Sequence, residues 1–152
     1  MYMIIIKVQG GLGNQLLQYS FGRMLTLLHK KEVAYDISFF DIDTKYTKRP
    51  FLLDLFTLTV KVATKEEIEK VKHPYGALSK VAQKIRRLLN KYFFKKYYIG
   101  YNEELFPEIK NKKSLYLEGF WQSYMYYKDI LKELSFEIQL KDVTRLNDFK
   151  QQ

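Results

Sequence analysis

The sequence contains no cysteine, two histidines, one tryptophan and three prolines among 152 residues. Without cysteine, the chain can form neither disulfides nor thiolate metal sites, has no cysteine nucleophile, and suits a reducing compartment. The two histidines, His29 and His73, are too few for a multi-histidine metal site. Both are expected near helix ends with no nucleophile signature beside them, so no Ser-His-Asp triad is predicted.

Long apolar segments are also missing. The longest opening run, residues 1–6, stops at Lys7 and has no cationic residue before it. It therefore has the features of neither a signal peptide nor a membrane span, and we expect a soluble, cytoplasmic protein. A chain of this length suits one domain with a full core.

Acidic residues are absent from one long stretch. Residues 70–102 hold nine basic residues and no acid, whereas the rest of the chain holds 17 of each sign, so the net charge of +9 arises from this segment. A charge concentrated in this way describes a patch, and the chain as a whole gives little reason to expect nucleic acid.

The first forty residues follow a strand, turn, helix and strand pattern. Residues 3–8 form a near-continuous apolar run rich in isoleucine, as in a strand covered on both faces of a parallel sheet. Glycines break this run, a helical apolar stripe follows over 15–30, and 33–38 resembles a second strand. Such units almost always close as right-handed parallel crossovers. We predict an α/β fold with a Rossmann-like parallel sheet and flanking helices.

The rest of the chain continues the alternation. Thr64 and Glu67 form a capping-box pattern for a short helix to about Lys72. An amphipathic helix is predicted over 77–93. Its polar face carries Lys80, Lys84, Arg87 and Lys91. The other expected elements are strands at 58–62, 97–101, 114–117 and 136–140 and a helix at 122–134.

The glycine-rich turn after the first strand has three interpretations. A dinucleotide site would use Gly11 and Gly13, with Asp36 on the ribose, but Leu16 occupies the third glycine position. A nucleotide P-loop is excluded because no Gly-Lys-Ser/Thr sequence follows. A tight turn that needs glycine for a positive φ and binds nothing is the structural alternative.

Two longer strings are more specific than the glycines. Residues 6–23 read IKVQGGLGNQLLQYSFGR, and residues 116–123 read YLEGFWQS, with YYKDI following at 126–130. In this order and spacing, the strings closely resemble the family 11 glycosyltransferases, the α-1,2-fucosyltransferases of bacterial polysaccharide and oligosaccharide synthesis.

The resemblance implies a GT-B-like enzyme of two Rossmann-like halves. Such an enzyme transfers fucose from GDP-fucose to a galactose 2-hydroxyl of a glycan, with inversion, no metal and no cofactor beyond the donor substrate. The glycine turn then faces the donor's diphosphate or fucose, where fixed amide donors stabilise the charge that develops on the leaving group. The residues carried over to this role are Gly10, Gly11, Gly13, Asn14 and Gln15.

The family's second signature, His-x-Arg-Arg-x-Asp, does not occur in this sequence. The one arginine pair, Arg86-Arg87, lacks both the histidine before it and the acid after it. We therefore expect residues 1–152 to form the N-terminal, acceptor-side domain, without the nucleotide-sugar domain, with no assignable catalytic residue and with no activity by itself. The alternative is a non-catalytic basic α/β module that binds a membrane surface or a protein partner.

Residues after the predicted strand at 114–117 are further candidates. Gln122 and Ser123 follow the strand end directly, where open α/β sheets bind ligands. Trp121 and its neighbours could stack on a sugar ring, with core packing as the alternative. These neighbours are Phe120, Tyr124, Tyr126 and Tyr127.

Two acidic pairs receive simpler interpretations. Asp41-Ile42-Asp43 has the Asp-x-Asp form by which another glycosyltransferase class holds a metal on the donor diphosphate. Two solvated acids in a loop explain it as well, and no metal site is predicted. Glu103-Glu104 is interpreted as a solvated turn, so no catalytic carboxylate pair is assigned.

The basic segment is either a solvated helix face or a surface for anionic lipid. Aromatic residues at 93–98 follow the basic helix and fit peripheral binding, to which each cation near the surface adds about 1 kcal/mol. This would place the protein on the inner face of the plasma membrane, near a lipid-linked glycan acceptor. No nucleic-acid reader motif accompanies the charge.

Vesicle sedimentation distinguishes the two interpretations of the patch. The wild-type chain should sediment with anionic vesicles at low salt and be released as salt shortens the Debye length to about 8–10 Å. Replacement of Lys80, Lys84, Arg87 and Lys91 by glutamine should keep the chain in solution and leave the fold intact, since surface substitutions cost within about 0.5 kcal/mol each. A wild type that ignores anionic vesicles would have a solvated face only.

Overall fold

A computed structural model describes residues 3–41, 49–72, 109 and 114–142. Three parallel strands form one sheet in these residues: β1 (Ile4–Lys7), β2 (Val33–Asp36) and β3 (Leu115–Leu117), in the order β2-β1-β3. Helices with both ends in the described ranges are α1 (Leu12–His29), α2 (Lys65–Lys72) and α3 (Leu131–Glu137). The predicted α/β class and parallel sheet are confirmed. The predicted helix at 77–93 and strand at 97–101 lie outside the described residues.

The central strand is covered on both faces, as its near-continuous apolar run predicts. Ile4 and Ile6 face a large cluster that includes residues of α1, whereas Ile5 faces a smaller cluster with Ile68 of α2. Ile4, Ile5 and Ile6 are all fully buried. Because successive side chains of a strand point to opposite faces, the three consecutive isoleucines of β1 require a helix on each side.

Helix α1 begins at Leu12, three residues before the predicted start. Glycine has low helix propensity, so the glycines within residues 10–14 predict a turn there. In the structure, Gly13 instead lies in the first turn of α1. Packing of the apolar stripe therefore outweighs local propensity at this end. The capping box is confirmed at the start of α2, where the Thr64 amide donates to Glu67 Oε2 at 2.8 Å and the Glu67 amide donates to Thr64 Oγ1 at 3.1 Å.

The predictions for residues 122–140 are wrong in detail. Two single 3₁₀ turns, Tyr124–Tyr126 and Lys128–Ile130, replace most of the predicted helix and lead into α3. The Ser123 hydroxyl accepts from the Met125 amide and so caps the first of these turns.

Residues 136–140 do not form the predicted strand either. Helix α3 runs to Glu137, and Leu140 makes one isolated antiparallel bridge to Phe56. The predicted strand at 58–62 likewise reduces to one parallel bridge between Tyr35 and Val62.

An ion pair joins α3 to α1. Arg23 Nε and the Tyr19 hydroxyl donate to Glu137 Oε2 at 2.7 and 2.9 Å. Burial alone would raise the pKa of Glu137, but these hydrogen bonds and the Arg23 charge outweigh burial and lower it. Neither partner is predicted by local pattern, since the two residues are 114 positions apart.

Gly22 lets α1 approach the sheet closely. The Tyr35 hydroxyl donates to the Tyr19 carbonyl at 2.9 Å, and a Cβ at position 22 would lie 2.2 Å from that hydroxyl. Glycine lowers the stability of a helix at interior positions. At position 22, however, its missing side chain leaves space above Tyr35.

Gly22→Ala should therefore destabilise the protein. Overpacking costs about 1–3 kcal/mol, and the helix propensity gained, about 1 kcal/mol, offsets only part of it. Urea denaturation should show the loss, while Gly13→Ala, whose Cβ meets no described atom within 4 Å, should be neutral or stabilising. In a Tyr35→Phe background the cost of Gly22→Ala should shrink; an equal cost in both backgrounds would disprove the contact.

Candidate functional site at the carboxyl edge of the sheet

The carboxyl ends of the three parallel strands share one edge of the sheet. The chain leaves β1 through α1 to β2 on one side, whereas β3 lies on the other side of β1. Open α/β sheets bind ligands in the crevice outside such a switch point. The turn after β1 and the turn after β3 border this crevice.

The glycines of the first turn differ in what they do. Gly10 has φ +83°, and a Cβ there would lie 2.9 Å from Asn14 Nδ2, so the turn itself requires glycine. Gly11 has φ −76°, and an added Cβ at Gly11 or Gly13 meets no described atom within 4 Å. The interpretation as a tight turn that binds nothing therefore explains Gly10. Nothing in the described fold requires glycine at positions 11 and 13.

The start of α1 favours a negative ligand. Gly11 occupies the N-cap, which has no side-chain hydrogen bond, and the first turn contains no acidic residue. Helix N-termini carry backbone N–H donors and a partial positive charge, and capping side chains normally neutralise them. Here the donors lie at the crevice without such a cap.

Gln15 braces the turn from inside. Its side chain is fully buried, and its Nε2 donates to the Gly10 carbonyl at 3.0 Å and the Pro50 carbonyl at 2.9 Å. Its Oε1 accepts from the Leu52 amide at 2.9 Å. The resemblance implies that Gln15 contacts the donor; in this structure its amide holds residues 50–52 against the glycine turn.

Gln18 was missed by sequence reasoning and joins the two turns. Its Oε1 accepts from the Gln9 amide and its Nε2 donates to the Gly119 carbonyl, both at 2.9 Å. The side chain is fully buried. A polar residue among the apolar positions of α1 was the available signal, because a buried amide needs partners for both its donor and its acceptor atoms.

Asn14 and Gln122 meet across the crevice. The exposed Gln122 donates from Nε2 to Asn14 Oδ1 at 3.3 Å, over a separation of 108 residues. The structure therefore brings together Gly11, Gly13, Asn14 and Gln122 of the predicted site. Ser123 instead caps the 3₁₀ turn that follows β3.

Trp121 packs in the core. It is 0% exposed, and its ring stacks on Phe21 with centroids 3.9 Å apart and planes 5° from parallel. Tyr126 and Tyr127 are also buried, whereas Tyr124 is 62% exposed. Core packing, the alternative to sugar stacking, therefore describes Trp121, Tyr126 and Tyr127 in this structure.

Asp36 is occupied by protein partners. It is 1% exposed, and its carboxylate accepts from the Tyr116 hydroxyl at 2.6 Å and the Ser38 amide at 2.9 Å, with Lys72 Nζ at 3.7 Å. Burial would raise its pKa, but these hydrogen bonds and the Lys72 charge lower it. Burial and the same bond raise the pKa of Tyr116. A carboxylate with both oxygens engaged is not available to a ribose, which disfavours the dinucleotide interpretation.

The remaining sequence predictions concern residues that lie partly or wholly outside the described ranges. Asp41 is exposed at the end of a 3₁₀ turn, and its partner in the Asp-x-Asp string lies outside the described residues. Among the residues described, no cluster of three or more potential metal ligands occurs. The patch formed by Lys80, Lys84, Arg87 and Lys91 lies outside them as well. No helix within the described ranges has the length and apolarity needed to cross a membrane.

Comparison with known proteins identified no relative. No protein-family model, curated protein or solved structure matches the chain.

The Asp36 cluster predicts how stability depends on pH. Because the folded pKa of Asp36 lies below its unfolded value of about 3.9, its ionised form contributes stability above that value. The contribution is lost as pH falls through the folded pKa. Asp36→Asn should cost about 1–3 kcal/mol at pH 7 and flatten the dependence of unfolding free energy on pH between about 5 and 2.

Urea denaturation across this pH range measures the effect. Glu137→Gln is the matched variant, since the pKa of Glu137 is lowered too and its partners Tyr19 and Arg23 are not those of Asp36, so the two effects should add. An Asp36→Asn profile parallel to that of the wild type would contradict the linkage.

Proposed function

We propose that the chain forms the acceptor-side half of an inverting glycosyltransferase that transfers fucose from GDP-fucose to a galactose 2-hydroxyl. The observation that carries the proposal is the pair Gly11 and Gly13, which the described fold does not need and which lie where open sheets bind ligands. Gly13 within a helix costs about 1 kcal/mol relative to alanine. Close approach of a ligand to the backbone offsets that cost.

The chemistry fits the geometry of the turn. In an inverting transfer the galactose hydroxyl oxygen forms a bond to C1 of fucose and gives its proton to a general base, which is not assigned to a residue of this chain. The bond from C1 to the diphosphate breaks, and its electron pair leaves with GDP. Negative charge therefore grows on the diphosphate. The uncapped amides of α1 and the Asn14 side chain are donors fixed before the reaction, which stabilise growing charge without reorganisation.

The parallel sheet is compatible with one Rossmann-like half of a GT-B enzyme, in which the donor lies between two halves. In the family that the strings resemble, the cationic arginines that hold the diphosphate belong to the other half. We therefore propose that the glycine turn faces the donor across the cleft. The chain by itself should bind GDP-fucose weakly and transfer no fucose.

Amide chemical shifts test the proposal directly. Titration of the ¹⁵N-labelled chain with GDP-fucose should shift the amides of Gly11, Gly13 and Asn14, with a roughly millimolar Kd, or about 4 kcal/mol of binding free energy. Gly11→Ala should keep the melting temperature, since its Cβ meets no described atom within 4 Å, and should weaken binding.

Ser135→Ala, on the exposed side of α3, is the control and should bind like the wild type. Absence of shifts at millimolar GDP-fucose, or equal binding by Gly11→Ala, would refute the proposed contact. Micromolar binding would instead place the main donor site in this half.

A further inference from the structure

Aromatic residues of the segment after β3 divide between the core and the surface. Three of them are buried: Trp121, Tyr126 and Tyr127. Tyr124, in contrast, is 62% exposed, and its neighbour Met125 is 40% exposed. Tyr124 follows two residues after Gln122, the side chain that reaches Asn14 across the crevice. An exposed aromatic ring therefore belongs to the turn that borders the crevice.

The backbone at Trp121 separates the buried residues from the exposed ones. Its φ is +52°, in the left-handed region that a bulky residue rarely adopts. The Trp121 ring stacks on Phe21 in the core, whereas the next residue, Gln122, is exposed. Such conformations persist only where the surrounding structure outweighs their cost, and they cluster at ligand-binding sites.

Hydrogen bonds hold the turn that carries Tyr124. The Ser123 hydroxyl accepts from the Met125 amide at 3.3 Å, and the Tyr127 amide donates to the Tyr124 carbonyl at 2.9 Å. The Tyr127 hydroxyl donates to the Leu17 carbonyl of α1 at 3.4 Å. The exposed ring therefore belongs to a backbone that is already fixed to α1, so binding to the ring would order little further chain.

The polar side chains beside Tyr124 are uncharged. Gln122 and Asn14 share one hydrogen bond, and each carboxamide has two N–H donors and an acceptor oxygen, so both retain capacity for a ligand. Lys7 at the end of β1 and Glu118 after β3 are paired with each other at 2.8 Å. An aromatic face beside neutral donors and acceptors suits a sugar ring, which has an apolar face and hydroxyl groups at its edge.

We propose that Tyr124 stacks on the apolar face of the acceptor sugar and that Gln122 hydrogen-bonds one of its hydroxyls. That the sugar is a galactoside rests on the proposed function. Galactopyranose suits a stacking ring because its axial 4-hydroxyl leaves the C–H bonds of C3, C4 and C5 together on one face. The acceptor contact at Tyr124 and the donor contact at Gly11 and Gly13 then belong to the two turns that border one crevice.

Methyl β-galactopyranoside tests the proposal on the chain itself. Titration of the ¹⁵N-labelled chain should shift the amides of residues 122–125 with a roughly millimolar Kd. Saturation transfer from the protein should be strongest to galactose protons H3, H4 and H5. Tyr124→Ala should weaken binding about three- to tenfold, as loss of an aromatic contact does, and should keep the melting temperature because the side chain is exposed. Tyr124→Phe keeps the ring and should bind like the wild type.

Phe136→Ala is the matched control. Phe136 is an aromatic residue of α3 that is 71% exposed, and its removal should leave binding unchanged. Methyl β-glucopyranoside should bind more weakly than the galactoside, since its equatorial 4-hydroxyl divides the same C–H bonds between the two faces. Equal losses in Tyr124→Ala and Phe136→Ala, or equal binding of the two glycosides, would overturn the stacking contact.

Separate titrations distinguish this proposal from the proposed donor contact. Shifts at Gly11 and Gly13 with GDP-fucose, but none at residues 122–125 with the galactoside well above millimolar concentration, would refute the acceptor contact and leave the donor contact standing. The reverse result would refute the donor contact and support stacking on Tyr124.

Discussion

The close packing of α1 on the sheet is the constraint from which the other contacts follow. Gly22 allows Tyr35 to reach the helix backbone, and the Tyr35 hydroxyl donates to the Tyr19 carbonyl there. One turn earlier the helix buries Gln18 against the ends of two strands, and nearly one further turn earlier it buries Gln15. A helix held further from the sheet would leave both amides without these partners.

Buried amides replace apolar side chains at the end of α1 that borders the crevice. Each is hydrogen-bonded on both its donor and its acceptor side, so burial leaves none of their polar atoms unsatisfied. Apolar contacts tolerate sliding, whereas hydrogen bonds of this kind have one geometry. The turns after β1 and β3 are therefore held in fixed relation, as a site that stabilises charge without reorganising requires.

The glycines in and just before the first helix divide by physical cause. Gly10 adopts a positive φ, Gly22 lies under a tyrosine hydroxyl, and Gly11 and Gly13 have neither reason. The sequence string presents all of them alike. Only the positions of neighbouring atoms distinguish a glycine that the fold needs from one that leaves backbone accessible to a ligand.

The sequence by itself determined the elements whose signal is local. The apolar run of β1, the stripe of α1, the parallel crossover to β2 and the capping box at Thr64 all depend on residues close together in the chain, and the structure contains each of them. The resemblance of the glycine turn to a known family brought Asn14 forward as a candidate, and the predicted end of β3 brought Gln122 forward, because both signals are local.

Tertiary structure alone decided the rest. Partners 101 to 118 residues apart, such as Gln18 with Gly119 or Tyr19 with Glu137, leave no trace in a local pattern. The same holds for the stacking of Trp121 on Phe21, which put a predicted sugar-stacking ring in the core. Residues 122–140 were mispredicted because two 3₁₀ turns precede the helix, and because the contact of Glu137 with Arg23, 114 positions away, is not visible in the local periodicity. A side chain's role at this edge depends on which atoms surround it, and folding, not spacing, brings those atoms together.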